Sequence, residues 1–326
     1  GQEPDMKKRI VVCGATGFIG RNIAEALAAN PAYAVTAVRH RRPAFARPGL
    51  RWIEADLTRD EAARAAVAGA DIVIQAAATT SGAKDIVERP YIHATDNAVM
   101  NSLLLRACHE AKVGHFVFFS CSVMYQPADR PVRESDFDPA RPLFPHYVAA
   151  GATKLYVERM CEMYAGFGRL RCTALRHSNV YGPYDKFDLE RSHMLGATVT
   201  KAMTAPEGGD LTVWGTGEEA RDLLYVDDLV RCVALVIERQ TAPFALYNVG
   251  AGHAVTVRAV VEKVIAATGR RIGIKHDLSK PTIPFSLALD SGRIAAEIGW
   301  RPAIALEDGL ARTIAHWRAN GAAAAR

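Results

Sequence analysis

The chemistry legible in the chain starts at Gly14. The segment Gly14-Ala15-Thr16-Gly17-Phe18-Ile19-Gly20 follows a short apolar run, Arg9 to Cys13, and opens a stretch rich in alanine. Three glycines at this spacing between a strand and a helix suit the pyrophosphate of a dinucleotide. Gly14 permits the tight turn, Gly17 lets backbone approach phosphate, and Gly20 lets the helix pack closely on the strand. The helix start, with Thr16, Phe18 and Ile19, then presents free N–H groups and the positive end of a dipole. The next strand ends Val38-Arg39-His40-Arg41-Arg42, without a carboxylate. An Asp or Glu there would hold a ribose 2′-hydroxyl, whereas a guanidinium matches a 2′-phosphate by charge and fork geometry. The reading is NADP(H), with Arg39 as its contact. Asp56 and Leu57 follow the third strand, where adenine would fall, although a loop role also suits Asp56. Ala76, Ala77 and Ala78 are small enough for a dinucleotide to pass close to their backbone.

The elements that must position these residues alternate. Strands are expected at Arg9 to Cys13, Ala34 to Val38, Arg51 to Glu54, Asp71 to Gln75, His115 to Phe119 and Arg171 to Leu175. Helices are expected at Phe18 to Ala29, Glu61 to Val67, His93 to Ala111 and Tyr147 to Ala165. Alternation of this kind predicts parallel β-α-β units. The fold class is therefore α/β, a Rossmann-type doubly wound parallel sheet with a smaller C-terminal substrate-binding α/β lobe. The nucleotide-binding domain is placed at 6–180, with about 225–250 returning to it, and the substrate lobe mainly at 181–320. Amphipathic helices are expected at Leu229 to Glu238, Val257 to Ala267, Gly292 to Ile298 and Leu306 to Arg318. A frayed tail is expected from Ala322.

Composition sets limits. Hydrophobic residues make up 49 % and charged residues 23 %, an ordinary balance for a globular enzyme. The net charge of +5 is mild, and the local run Arg39 to Arg42 argues against nucleic acid as its reason. No apolar stretch approaches the ~20 residues of a membrane span. No signal peptide is visible, and Gly1 to Asp5 read as the remnant of an expression tag. The six cysteines form no C-x-x-C pair and read as buried free thiols, which places the chain in a reducing cytoplasm.

Five motifs then occur in order: the glycine segment; Ser120-Cys121-Ser122-Val123-Met124-Tyr125; Gly151-Ala152-Thr153-Lys154 with Glu158; Leu175-Arg176 with Asn179-Val180-Tyr181-Gly182-Pro183; and Arg221-Asp222 with Tyr225-Val226-Asp227-Asp228. Together they resemble the extended short-chain dehydrogenases/reductases that modify nucleotide sugars, the NAD-dependent epimerase/dehydratase family. The stretches Tyr181 to Phe187, Ser192 to Met194, Val213 to Gly217 and Lys280 to Thr282 resemble its GDP-L-fucose synthase branch, whose members are GDP-4-keto-6-deoxymannose epimerase/reductases.

The resemblance implies a catalytic Tyr four residues before Lys154. Positions i and i+4 share one helix face. The Lys stabilises a tyrosinate and binds the nicotinamide ribose, and the Tyr exchanges a proton with the sugar oxygen. Lys154 and Glu158 are in place, but position 150 is Ala. Tyr147 lies seven residues from Lys154, about 10.5 Å along a rigid helix, too far to replace it. Ala150 is thus read as a substituted catalytic Tyr, engineered to trap a complex, with a naturally degenerate enzyme as the alternative. The chain should be impaired or inactive. The family's carbonyl-polarising Ser or Thr falls on Cys121, a weak donor, so Ser122 or Ser120 is the alternative hydroxyl. The acid/base Cys of the fucose synthases falls on Val123, while their His matches His193. One partner without the other suggests reduction without full epimerisation. Dehydration is disfavoured, because Ser122-Val123 lacks the acidic pair. The resemblance also assigns Asn97 and His177 to the cofactor.

A sugar nucleotide carries a diphosphate, so cations should converge on the C-terminal lobe. Arg221, Lys201 and Lys280 are the candidates. Trp214 would stack on a base or ribose, or pack in the core. Asn179 would bond the ligand or neighbouring backbone. The resemblance implies that the two long helices, His93 to Ala111 and Tyr147 to Ala165, form a homodimer interface. The reading is an NADPH-dependent reductase, or epimerase/reductase, of a nucleotide-linked 4-keto sugar, GDP-linked by resemblance. The alternatives are a nucleotide-sugar 4-epimerase with tightly bound NAD(P), and a non-catalytic NADP-binding sensor. No metal, nucleic acid or membrane partner is expected.

Overall fold

A computed structural model describes residues 6–79, 88–189 and 194–320. The first strands are β1 (Lys8–Cys13), β2 (Tyr33–Arg39), β3 (Leu50–Glu54), β4 (Ile72–Gln75), β5 (His115–Phe119) and β6 (Arg171–His177). They interleave with helices α1 (Phe18–Ala28), α2 (Asp60–Val67), α3 (Tyr91–Glu110) and α4 (Val148–Ala165). A later strand, Phe244–Val249, pairs with β6. The sheet order is Phe244–Val249, β6, β5, β4, β1, β2, β3, and every pairing is parallel. This is the doubly wound Rossmann arrangement.

The strands read as apolar runs because both faces are covered. One face packs Ile23, Ala24 and Leu27 of α1 with Cys232, Val233 and Val236. The other packs Ala63 and Val67 of α2, Leu104 and Leu105 of α3, and Val157 and Cys161 of α4. A third core, around Leu195, Val199, Val260, Val264 and Leu310, belongs to the smaller lobe. Of the helices expected late in the chain, those at Val226–Arg239, Val257–Thr268, Gly292–Ile298 and Leu306–Asn320 form. The helix Met194–Thr204 and the parallel pair Asp210–Trp214 with Gly273–Asp277 were not anticipated. Glycine and proline break these segments into runs too short to carry a clear period. The tail beyond Asn320 lies outside the described residues.

The cysteines are free, and all but the half-buried Cys121 are buried. No helix among the described residues is long and apolar enough to cross a membrane.

His115 is buried at the start of β5. Its Nε2 lies 2.7 Å from the Thr173 hydroxyl, which donates to Gln240 Oε1. The imidazole therefore donates its Nε2 proton to Thr173. Burial, with Arg171 and Lys8 adding to it, pulls its pKa down to about 3. The unfolded chain, with an ordinary His near 6.5, binds the proton first as pH falls. Stability from this group is full above about pH 6.5 and declines towards pH 3, by about 1.4 kcal/mol per pH unit. Urea midpoints measured from pH 7 to 4 should show this acid slope, and His115→Gln should flatten it by one proton.

Candidate active site

The strand order reverses between β1 and β4, and ligands of such sheets bind at the carboxyl ends of the strands there. Gly14 closes β1 with φ of +70°, and a Cβ on it would sit 2.6 Å from the Ala76 backbone. On Gly20 a Cβ would be 2.0 Å from Gly14 O, so the helix start presses on the turn itself. Gly17 differs: its nearest neighbour would be Gly14 O at 3.4 Å, and it begins α1 without a side-chain cap. The turn is therefore closed below and open above, a cradle that fits a pyrophosphate against bare N–H groups. Thr16, Phe18 and Ile19 are half-buried around it.

The carboxyl ends of β2 and β3, where the sequence reading places adenosine, are more occupied than that reading suggests. Arg39 Nη2 meets Glu54 Oε2 at 3.1 Å, so the guanidinium at the end of β2 already has a carboxylate partner. Asp56 accepts from Thr58 N at 3.1 Å and Thr58 Oγ at 2.6 Å, and Thr58 lowers its pKa. That is a loop-capping role. The Leu57 side chain is core. Ala76 and Ala77 are half-buried at the end of β4 and Ala78 is exposed. Asn97 both accepts from Thr79 N (2.8 Å) and donates to Thr79 O (3.2 Å). It fixes the strand's exit, a supporting place for a residue assigned to direct contact. Arg21 of α1 lies between the rings of Phe45 (3.9 Å) and Tyr184 (3.8 Å), and Asn22 Nδ2 donates to Pro183 O at 2.9 Å. Helix α1 thus touches the loop that enters the smaller lobe.

Lys154 stands across the crevice. Its Nζ donates to Phe119 O at 2.8 Å, at the carboxyl end of β5, and lies 4.9 Å from the Phe118 ring centroid. Burial pulls its pKa below the ordinary lysine range, with Cys121 and Glu158 pulling it back up. Ala150 lies one turn earlier, exposed. Burial pushes the Cys121 thiol up against the opposing pull of Lys154, so the thiol keeps its proton. Of the two candidate hydroxyls, Ser120 is committed elsewhere, donating to Glu158 Oε2 at 2.5 Å. Ser122 is the one that faces the pocket.

Beneath the site lies a buried polar chain. Arg176 donates to Glu158 from Nη2 (2.6 Å) and Nε (3.0 Å), and from Nη1 to the Tyr125 hydroxyl (3.0 Å). Tyr125 donates to Asn248 Oδ1 at 2.6 Å, and Asn248 N donates to Glu134 at 3.1 Å. This chain ties α4, β6, the loop after β5 and the strand Phe244–Val249 into one frame. Neither Arg176 nor Asn248 was assigned a role from sequence. Arg176 stood in one of the five motifs without a role, and the only signal of Asn248 was a polar residue inside an apolar strand.

A cavity of about 40 Å³ joins both lobes. Ser122, Val123 and Tyr147 line one side, Asn179 and Arg221 another, and Phe285 a third. Asn179 donates from both N (3.1 Å) and Nδ2 (3.2 Å) to Asp222 O, the neighbouring-backbone role. Arg221 donates to the carbonyls of Phe285 and Ala220. The Asp222 carboxylate gathers N–H groups from Ala251 (2.8 Å), Gly252 (3.1 Å) and Leu289 (3.0 Å) and pins that wall. Trp214 is 51 % exposed, which rules out core packing, and Lys280 Nζ sits 5.6 Å from its ring centroid. Lys201 points instead to Thr212 O at 3.4 Å, away from this cavity. His177 places Nδ1 2.8 Å from Ser178 O and packs on Phe119. His193 lies outside the described residues. A larger cavity, about 680 Å³, opens at the opposite end of β1–β3, lined by Lys7, Arg9 and Arg51, and takes no part in the site.

Glycine cradle, crevice lysine and two-lobe pocket sit on a doubly wound parallel sheet and define a protein of the Rossmann class. The sequence model of the NAD dependent epimerase/dehydratase family matches residues 10–250, and the chain belongs to that family. It is similar to the GDP-L-fucose synthase of Sinorhizobium fredii, 28 % identical over 322 residues, 96 % of each chain. It is likewise 28 % identical to a Streptomyces dTDP-4-dehydro-6-deoxy-D-allose reductase, over 95 % of this chain and 96 % of the other. Among solved structures, the dTDP-glucose 4,6-dehydratase DesIV of Streptomyces venezuelae, determined with NAD bound, has a TM-score of 0.79 at 26 % identity, covering 96 % of this chain and 97 % of that one.

Proposed function

We propose that the chain is an NADPH-dependent reductase of a nucleotide-linked 4-keto sugar, GDP-linked by its resemblance, in which Ala150 stands at the position of the catalytic tyrosine. The observation that carries this is Lys154, with Nζ 2.8 Å from Phe119 O at the crevice and Ala150 one helical turn before it. The glycine cradle and the first turn of α1 would hold the pyrophosphate, and Lys154 the nicotinamide ribose. The bound dinucleotide supplies hydride. Ser122 would polarise the sugar carbonyl, and Arg221 would meet the diphosphate. Trp214, exposed beside Lys280, would receive a base. The missing element is a proton donor beside Lys154.

Exposed Val99, Tyr156 and Met163 on α3 and α4 support a homodimer built on those helices. Ligand-induced melting tests the reading. NADPH at about 100 times its Kd should add roughly 2.7 kcal/mol of stability. NADH should add less at the same concentration, and GDP-mannose should add more than UDP-glucose when NADPH is present. Arg39→Ala should cut the NADPH shift sharply and leave the NADH shift unchanged. Glu54→Gln should enlarge the NADPH shift, because it frees Arg39 and removes a charge that repels the 2′-phosphate. Equal shifts with NADH and NADPH in every variant would remove the NADP assignment.

A further inference from the structure

Tyr147 is not part of the rigid helix assumed from sequence. Residues Pro145–Tyr147 form a single 3-10 turn, and the α-helix begins at Val148. The seven-residue rise therefore does not set where its side chain goes. Tyr147 N donates to Phe144 O at 2.8 Å and closes that turn. The ring packs edge-on against Phe285 (5.5 Å, 84°) and tilted against Phe144 (5.7 Å, 38°). It is a wall of the cavity that also holds Ser122, Asn179 and Arg221. Among the described residues the hydroxyl has no hydrogen-bond partner, although the ring around it is well packed. Ala150 follows three residues on, exposed in the first turn of the helix. Tyr147 shares this cavity with Ser122, the hydroxyl proposed to polarise the sugar carbonyl.

We propose that Tyr147 is a second substrate-contacting phenol, and that it is the residual proton donor of this chain. The inference rests on the reductase reading above. Hydride from the reduced nicotinamide forms the new C–H bond at the sugar carbonyl carbon. The carbonyl π pair moves onto oxygen, which takes the proton from the Tyr147 hydroxyl. The phenolate is held beside the Arg221 guanidinium and regains a proton from water. Burial raises the Tyr147 pKa while Arg221 lowers it, so the group enters the step protonated at neutral pH. Ring packing alone would require only a phenylalanine.

Tyr147→Phe keeps the ring and its packing and removes the O–H. In the Ala150 chain, single-turnover NADPH oxidation with GDP-4-keto-6-deoxymannose should fall at least tenfold on this substitution. The alkaline limb of the parent's pH–rate profile should disappear with it. The melting shift given by GDP-mannose, a ligand that needs no chemistry, should shrink as well. With Ala150→Tyr added, Tyr147→Phe should raise KM severalfold, and its effect on kcat should be far smaller than in the Ala150 chain. A ligand-free melting temperature within a degree or two of the parent shows that the fold is kept. An unchanged residual rate, or no residual rate in the parent, overturns the proposal. A reduced GDP-mannose shift in a chain that stays inactive even with Ala150→Tyr would keep the sugar contact, sink the proton-donor role, and locate the failure in the reductase reading.

Discussion

Ala150→Tyr should raise NADPH-dependent reduction of a nucleotide-linked 4-keto sugar by about 10³-fold, within the 10²–10⁴ range of a positioned general acid. The new phenol would stand four residues before Lys154 on one face of α4. Lys154 is already fixed by Phe119 O, so its ammonium would favour the phenolate without moving. The nearby Cys121 thiol is protonated and a weak donor, so it cannot stand in. Ala150→Phe is the control, adding the ring without the proton, and should gain nothing. Stopped-flow absorbance of NADPH reads both variants. Equal rates for the Phe and Tyr variants would deny position 150 its acid role, and no turnover by the Tyr variant with any keto sugar would favour a sensor.

The second large effect concerns stability. Glu158→Gln should cost about 3–5 kcal/mol, because it leaves the Arg176 charge buried without its counter-ion. The two side chains are only 6 % and 4 % exposed, and Arg176 makes both of its contacts to Glu158 inside the protein. The Tyr125 hydroxyl that remains is neutral. Replacing both partners, Glu158→Met with Arg176→Met, should cost much less than the single change, since no lone charge is left behind. Urea midpoints of the three variants measure this. A double variant as unstable as the single one would mean that geometry, and not charge, holds the frame. Combined with Ala150→Tyr, the single variant should also lower kcat, because the same chain seats Ser120 to Tyr125 and α4.

Much of this was legible beforehand, for physical reasons that differ by region. The central strands β1, β4 and β5 are covered on both faces, so Ile10 to Cys13, Ile72 to Ile74 and Phe116 to Phe119 are apolar runs bounded by turn residues. Glycine spacing exposed the cradle because only glycine tolerates backbone at 2.0 to 2.6 Å from its missing Cβ. The pocket was harder. Phe285 lies in a segment without regular structure and reaches Arg221 only through tertiary packing. The strands at 220–221 and 255–256 have two residues each and carry no period. Arg39 read as a free cation because Glu54, fifteen residues on, becomes its neighbour only when β2 and β3 pair. Lys201 stood at a plausible spacing, yet its helix turns it to a strand carbonyl. Tyr147 shows the limit of helical arithmetic, which holds only for residues inside the helix.

The outermost strand of the sheet, Phe244–Val249, comes from beyond the segment that holds the pocket's Arg221. Cutting the polypeptide after position 180 would strip the flank of β6 and leave a row of backbone donors and acceptors unmet. Such a fragment would be a template for aggregation. The first six strands and the later lobe are therefore one inheritable unit, which neither recombination nor truncation can divide at the point where those strands end.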